Sequence, residues 1–422
     1  MTYPLYLIAG HLLLPLIFLR LLIKSRRNPP YRRRWSERLG FYQQRPTVPP
    51  IWIHTVSVGE FNAAKPLIAA LKEAYPNSPL LVTTTTPTGS AAVTRYSSEL
   101  YHVYLPYDLP LLVRRFLRHW QPRAGIIFET EIWPALFRNT AAANIPLIMA
   151  NARLSAKSAQ GYQRIKPLIA DALRLPNAIA AATEEDASRL KGLGADPQRL
   201  SVMGNIKFDY QLADSIRKSA APLRDDVLGK ARPVWVAAST HAGEEAQVLQ
   251  AHAAIRKLLP DTLLVLVPRH PERFNEVARL CTGRFATIRR SEGGHCTINT
   301  AVYLADSMGE LPLFYAAADA VFVGGSLVPT GGHNLIEPAA AGKAPLFGLH
   351  MENFIEIAER LLAAEGAIQI KNGQELAEKI IQLLSNPADT ARLGANAMAL
   401  VEQHRGAVQA LTSLLAKHLE QP

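Results

Sequence analysis

A chain of 422 residues is long enough for two domains of roughly 150–200 residues each. With 48% apolar and 19% charged residues it is an ordered globular protein, and a net charge of +11 with a pI near 9.6 calls for an anionic partner: nucleic acid, acidic lipid or a phosphorylated substrate. Its two cysteines, Cys281 and Cys296, fit neither a metal-ligand spacing nor a disulfide framework, so a reducing compartment is expected.

The first element is apolar from Leu5 to Ile23, interrupted by His11 and Arg20. About 20 such residues can cross a bilayer. No basic segment precedes the run and no small-residue cleavage site follows it, unlike a signal peptide. Pro4 and Pro15 weaken a straight span, so a shallow monotopic helix stays open as the alternative. Lys24, Arg26, Arg27, Arg32, Arg33, Arg34, Arg38 and Arg45 follow, against Glu37 alone, and carry more than half of the net charge. The positive-inside rule places that flank in the cytoplasm, and the cluster suits an anionic membrane surface.

From Ile51 onward short β-rich runs alternate with helical stretches. Strands are expected at Ile51–Val56, Leu80–Thr85, His102–Leu105, Gly125–Phe128, Pro146–Ala150, Ala178–Ala182 and Leu200–Met203. Helical periodicity fills the gaps, as in Glu60–Ala74, Leu109–Trp120 and Trp133–Ala143. A polar stretch follows, with an interdomain linker expected over 211–232. A second series runs through Val234–Ser239, Thr262–Val267, Ala301–Leu304, Ala320–Val323, Ala344–Phe347 and Ala367–Ile370, and helices close the chain. Such alternation predicts an α/β fold with two doubly wound parallel sheets facing a cleft. The expected division is an anchor and basic segment over 1–45, a first Rossmann-like domain over 46–210, the linker, and a second Rossmann-like domain over 233–422 that includes the closing helices.

Chemistry gathers at the strand ends. Ser57-Val58-Gly59-Glu60 leaves the first strand, and a carboxylate at that edge suits a general base. Glu129-Thr130-Glu131 follows the fourth strand, and two acids so close need protein or ligand donors. Asn151-Ala152-Arg153 offers such donors, and Lys207 brings a cation that suits an anionic transition state. In the second half, Ser239-Thr240-His241 and Pro268-Arg269-His270 end successive strands, and an Arg there suits a phosphate. Asp306-Ser307-Met308-Gly309-Glu310 forms a turn able to meet a nucleobase through its backbone. Gly324-Gly325-Ser326 and Gly331-Gly332-His333-Asn334 lead into a small-residue helix, Ala339 to Gly342, where glycines admit a ligand and the helix start favours phosphate. Asn334 and Glu337 share one helical face, and the carboxylate suits a ribose hydroxyl. No Gly-Lys-Ser/Thr phosphate loop occurs.

Together S-V-G-E at 57–60, T-P-T-G-S at 86–90, Y-L-P-Y-D at 104–108, E-T-E-I-W-P at 129–134, N-A-R-L-S at 151–155, P-R-H-P-E-R-F at 268–274 and G-G-H-N at 331–334 resemble the 3-deoxy-D-manno-octulosonic acid (Kdo) transferase family of Gram-negative bacteria. The resemblance runs over essentially the whole chain. It implies a GT-B glycosyltransferase fold and inverting transfer of Kdo from CMP-Kdo to lipid IVA, a lipid A precursor, at the cytoplasmic face of the inner membrane. It puts the general base on Glu60 and transition-state stabilisation on Glu129 and Lys207. It puts the CMP contacts on Pro268, Arg269, Met308, Gly309, Glu310, Asn334, Leu335, Ile336 and Glu337. No metal ion, no cofactor beyond the sugar nucleotide and no nucleic-acid partner are expected. Gly204-Asn205-Ile206-Lys207 departs from the family pattern, where a Ser-Leu pair is common, but keeps the lysine. A sugar-nucleotide epimerase would share the two halves without needing the first 45 residues. A lipid-binding scaffold would explain those residues but not the acids and bases at strand ends.

Overall fold

The computed structural model describes residues 1–26 and 28–419; Arg27, expected in the basic cluster, lies outside the described residues. The chain forms two compact units, residues 1–209 with 405–422, and residues 210–404.

The first unit is built on a parallel sheet of seven strands: β1 (Ile51–His54), β2 (Leu80–Thr84), β3 (Tyr101–Tyr104), β4 (Ala124–Phe128), β5 (Leu147–Ala152), β6 (Ala178–Ala181) and β7 (Leu200–Val202). Their order is β3-β2-β1-β4-β5-β6-β7. β1, β2, β4, β5 and β6 are buried along their whole length, which is why they read as continuous apolar runs. Trp52 shows the packing: its ring meets Phe116 at 4.9 Å, and its Nε1–H donates to Thr83 Oγ1 at 2.8 Å. Ser57, Thr86 and Thr183 start the following helices by accepting backbone N–H groups three residues on.

The second unit repeats the plan with β8 (Val234–Thr240), β9 (Leu263–Pro268), β10 (Thr287–Arg289), β11 (Val302–Leu304), β12 (Ala320–Val323), β13 (Pro345–Phe347) and β14 (Ile368–Gln369). The order is β10-β11-β9-β8-β12-β13-β14. Apart from the edge strands β7 and β10, the two sheets share one strand order. Each sheet therefore reverses direction of winding between two central strands, β1 and β4 in the first and β8 and β12 in the second. Ligands of such sheets bind outside the strand C-termini at that point.

Two boundaries differ from the sequence reading. The expected linker over 211–232 is largely helical, through Asp214–Pro222 and Leu223–Gly229, and belongs to the second unit. The last helix, Ala407–Leu419, joins the first unit instead of closing the second. Its Ala407, Leu411 and Leu415 enter the core beside Phe61, Leu67 and Leu71. Asp209 fixes its start by accepting the N–H groups of Gly406 and Val408. That three-to-four spacing is equally an apolar face for either unit, so sequence order alone assigns it to the neighbour.

The N-terminal helix, Tyr3–Ser25, is the one helix among the described residues long and apolar enough to cross a membrane. It touches the first unit along its length. Tyr6 Oη donates to Asp108 at 2.6 Å, and the Phe18 ring meets Trp35 at 5.0 Å and Tyr107 at 5.6 Å. On the other side Leu5, Ile8, Leu12, Leu16, Leu19 and Ile23 are exposed at three-to-four spacing, one continuous stripe. The basic cluster behind it is divided. Lys24, Arg26, Arg32 and Arg33 are exposed. Arg34 instead pairs with Glu37 at 2.7 Å and bonds Ser90 and the His102 carbonyl, and Arg38 is buried against Tyr104 and bonds the Thr85 carbonyl. Those two arginines hold the fold and are not free for headgroups.

Candidate active site

In the first unit the carboxylates cluster beside the point between β1 and β4. Glu60 is the third residue of its helix, Val58–Ala74. Its N–H donates to the capping Ser57 Oγ at 3.4 Å, while its own carboxylate accepts from the Val56 N–H at 2.6 Å and from Ser57 Oγ at 3.1 Å. These bonds favour the charged form. Burial outweighs them, the charge of Glu129 adds to it, and the Glu60 carboxyl is pushed up from 4.5 to about 7. Glu131 is pushed up to about 7 as well, by burial first and then by the charge of Glu60. The charge of Glu60 thus acts on Glu131, and that of Glu129 acts on both. The sequence reading placed Glu131 in its motif but gave it no role; the signal was the second acid of Glu129-Thr130-Glu131 itself.

The loops that carry this cluster are tied together. Glu129, just after β4, is in a left-handed conformation, φ 60°, and Asn151, the penultimate residue of β5, is in another, φ 53°. Left-handed turns at non-glycine residues cost about 1–2 kcal/mol each and collect at functional sites. The Thr130 hydroxyl donates to the Arg153 carbonyl, and Asn151 Oδ1 accepts the Ile206 N–H at 3.0 Å. Asn205 Oδ1 accepts the Lys207 N–H at 3.1 Å, closing the turn that presents Lys207. The β4, β5 and β7 loops thus form one unit at one sheet edge.

In the second unit Pro268 ends β9, and Arg269 follows, exposed, with its N–H on the Thr240 carbonyl at 3.0 Å. Its guanidinium has no hydrogen-bond or ion-pair partner among the described residues. Burial holds the Glu337 carboxyl above its ordinary value, against the Asn334 hydrogen bond and then the charge of Arg269. Asn334 Oδ1 caps the short helix Ile336–Ala340 through the Ile336 N–H at 3.0 Å, and its Nδ2 donates to Glu337 at 3.1 Å. Leu335 and Ile336 are fully buried and fix this turn. Glu310 lies with its carboxylate across Arg290, at 2.7 and 3.2 Å, and accepts the Ser307 hydroxyl; the Arg290 bond is the chief cause holding it below its ordinary pKa. Its carboxylate thus supports the turn, which exposes Met308 and the open, left-handed Gly309 backbone.

The Gly-Gly-Ser turn after β12 is occupied by the protein itself. Glu244, fully buried, accepts the N–H groups of Gly325 at 2.7 Å, Ser326 at 3.0 Å and Leu327 at 2.9 Å, and that of His241 at 2.9 Å. The expected phosphate turn is therefore filled by a carboxylate, and these donors are not available to a phosphate. Gly324 is required there for another reason: a Cβ would lie 2.9 Å from the Ala238 and Ser239 carbonyls of β8. A cavity of about 390 Å³ lined by Arg224, Arg232, Asp319 and Lys343 lies at the opposite, N-terminal edge of the same sheet, away from all of these groups.

A family model described as 3-deoxy-D-manno-octulosonic-acid transferase (kdotransferase) matches residues 33–210. The 3-deoxy-D-manno-octulosonic acid transferase of Haemophilus influenzae is 41% identical over 411 residues, covering 96% of each chain. That of Bordetella pertussis is 37% identical over 389 residues, covering 88% of each. Among solved structures, UDP-GlcNAc 2-epimerase from Neisseria meningitidis, bound to UDP-GlcNAc, superposes with a TM-score of 0.56 at 15% identity, over 87% of this chain and all of that one. At that identity the likeness shows a shared two-sheet GT-B-like fold and no more.

Proposed function

The chain belongs to the 3-deoxy-D-manno-octulosonic acid (Kdo) transferase family, a family of glycosyltransferases, and from that premise we propose that it transfers Kdo from CMP-Kdo to a hydroxyl of lipid IVA with inversion. The acceptor oxygen forms a bond to the anomeric carbon as the bond from that carbon to the phosphate oxygen breaks. CMP departs with the electron pair, and the hydroxyl proton passes to Glu60.

The observation that carries this reading is the Glu60 carboxyl. It sits at the C-terminal edge of β1, oriented by two hydrogen bonds and balanced near neutrality, where a general base works best. Glu129 stabilises positive charge developing on the sugar, and Lys207 the negative charge leaving it. Pro268, Arg269, the 308–310 turn and residues 334–337 bind CMP, with Arg269 on the phosphate and Glu337 on the ribose. A donor with a single phosphate carries one charge at the scissile group, which a guanidinium and an ammonium suffice to stabilise, so transfer is proposed to need no metal ion.

The acceptor is an acylated lipid, and the N-terminal helix fits that substrate. Contacts at Tyr6 and Phe18 are 12 residues apart, about 18 Å of helix held against the first unit. A helix bound along its side and bare along one leucine stripe is suited to lie in the surface of the inner membrane, with Lys24, Arg26, Arg32 and Arg33 on anionic headgroups. The test is CMP release measured with CMP-Kdo and lipid IVA together and separately. Release that needs both, with Kdo recovered on the lipid, supports the reading. Consumption of a UDP-sugar, or CMP release without a glycolipid product, overturns it.

A further inference from the structure

Three histidines of the second unit come from three different strand ends: His241 after β8, His270 after β9 and His333 after β12. They meet on one edge of the sheet. His241 Nε2 and His333 Nε2 are 2.8 Å apart with ring planes 14° apart, so the rings lie end to end and share one N–H···N bond. The His270 ring stands edge-on to His241 at 5.1 Å and 84°. A structural histidine looks different. His252, fully buried, has its Nδ1 on Trp235 Nε1–H at 3.1 Å and its Nε2 on the Ala301 carbonyl at 2.8 Å. The rings of His241 and His333 bond only each other, and neither Nδ1 has a partner among the described residues.

We propose that His241, His270 and His333 form, beside Arg269, the anion-binding site for the phosphate of the sugar nucleotide, and that one proton enters the His241–His333 pair as the phosphate binds. The inference rests on the donor site proposed above and deepens it.

The proton count follows from the shared bond. In the neutral pair one ring donates from Nε2 and has a bare Nδ1; the other accepts at Nε2 and carries its proton on Nδ1. A single proton from solvent can add at the bare Nδ1 with the shared bond kept. A second would break it. In the free protein that proton is absent near neutral pH. Burial first, then the charges of His241, Arg269 and His270, push His333 down to about 4; burial also lowers His241, against the opposing charge of Glu244. The surrounding carboxylates are already committed. Glu244 holds the glycine turn, Glu245 is paired with Arg273 at 2.5 Å, and Glu272 lies 3.8 Å from His270. Glu337 bonds Asn334. A bound anion is the missing partner that raises the pair toward neutrality.

Binding is measured by calorimetry on the full chain in detergent, with the 5′-methyl ester of CMP, a phosphodiester that does not itself titrate near neutral pH. Two buffers of different ionisation enthalpy give the proton count. The expected result is uptake approaching one proton at pH 7 and a Kd that rises up to about tenfold per pH unit above it. His333→Gln and His241→Gln should each abolish the uptake; cytidine, without phosphate, should show none in the wild type. Ring carbon shifts of the unmutated protein, followed by NMR, read the same protonation if either variant folds poorly. Buffer-independent enthalpies, or uptake unchanged in both variants, overturn the inference. Unchanged affinity in Arg269→Ala would instead overturn the donor site beneath it.

Discussion

Replacing Glu60 by Gln separates base from scaffold. The amide oxygen can accept the Val56 N–H, and the amide nitrogen can face Ser57 Oγ, so both contacts at 2.6 and 3.1 Å have a counterpart in the variant. What is lost is the proton acceptor. General-base catalysis contributes about 10²–10⁴-fold, so kcat should fall by that factor with CMP affinity near normal. The pH dependence sharpens the test. With the Glu60 carboxyl at about 7, wild-type kcat should rise about tenfold per unit up to pH 7 and level off above it. The variant should be flat across that range. Stability carries the opposite sign. A carboxyl raised from 4.5 to about 7 by folding favours the fold fully below 4.5, and that contribution is lost as pH rises through 7. Gln at 60 removes the dependence, so the variant's Tm relative to wild type should be higher at pH 8 than at pH 5. The assay is transfer from CMP-Kdo to detergent-dispersed lipid IVA, with thermal melts at both pH values. A variant keeping more than a tenth of wild-type turnover, or keeping the acid limb, would refute the assignment.

Glu131→Gln should relieve repulsion in the pair and move the acid limb of the rate profile to lower pH; an unmoved limb in a folded variant would mean that the two carboxyls act independently. Arg269→Ala and Glu337→Ala should each weaken CMP binding by about 1.5–3 kcal/mol in calorimetry, the scale of hydrogen bonds to charged groups. Affinity unchanged in both would place the nucleotide elsewhere. Leu12, Leu16 and Leu19 together changed to Asp should abolish flotation with anionic vesicles, since each buried leucine contributes about 1.5–3 kcal/mol. Transfer to acceptor in detergent should stay within about threefold, and equal loss on both acceptor forms would show that the stripe serves the active site. Charge reversal in the basic cluster is informative at Arg33 and misleading at Arg34, whose three partners hold the fold.

Every strand expected from the alternation is present, and central strands such as β1, β2, β4, β5 and β6, covered on both faces, write themselves as apolar blocks. The one not foreseen, β10, is three half-exposed residues ending in Arg289, at the sheet edge with a single neighbour. The site was legible where one motif contains both the turn and the group, as in Ser57 to Glu60. It was not legible where the partner is distant in sequence. Glu244 stands 81 residues before the Gly325 N–H it accepts, and nothing local marks it apart from any acid at a helix start. The histidines were quoted within three motifs, yet only folding brings His241 and His333, 92 residues apart, onto one hydrogen bond.

The position of Glu244 also bears on how a nucleotide can be held. In dinucleotide-binding sheets the glycine turn offers its bare N–H groups to a pyrophosphate at the first helix. Here the corresponding edge already holds a buried carboxylate bonded to four N–H groups, and a phosphate placed there would face a like charge with no donor left. In the donor site proposed above, side chains meet the charge of the single phosphate. Arg269 stands beside that edge with an uncommitted guanidinium, and the histidine pair next to it has bare nitrogen to offer. A site of that kind binds by charge that appears with the ligand. As proposed, it releases CMP once the proton leaves.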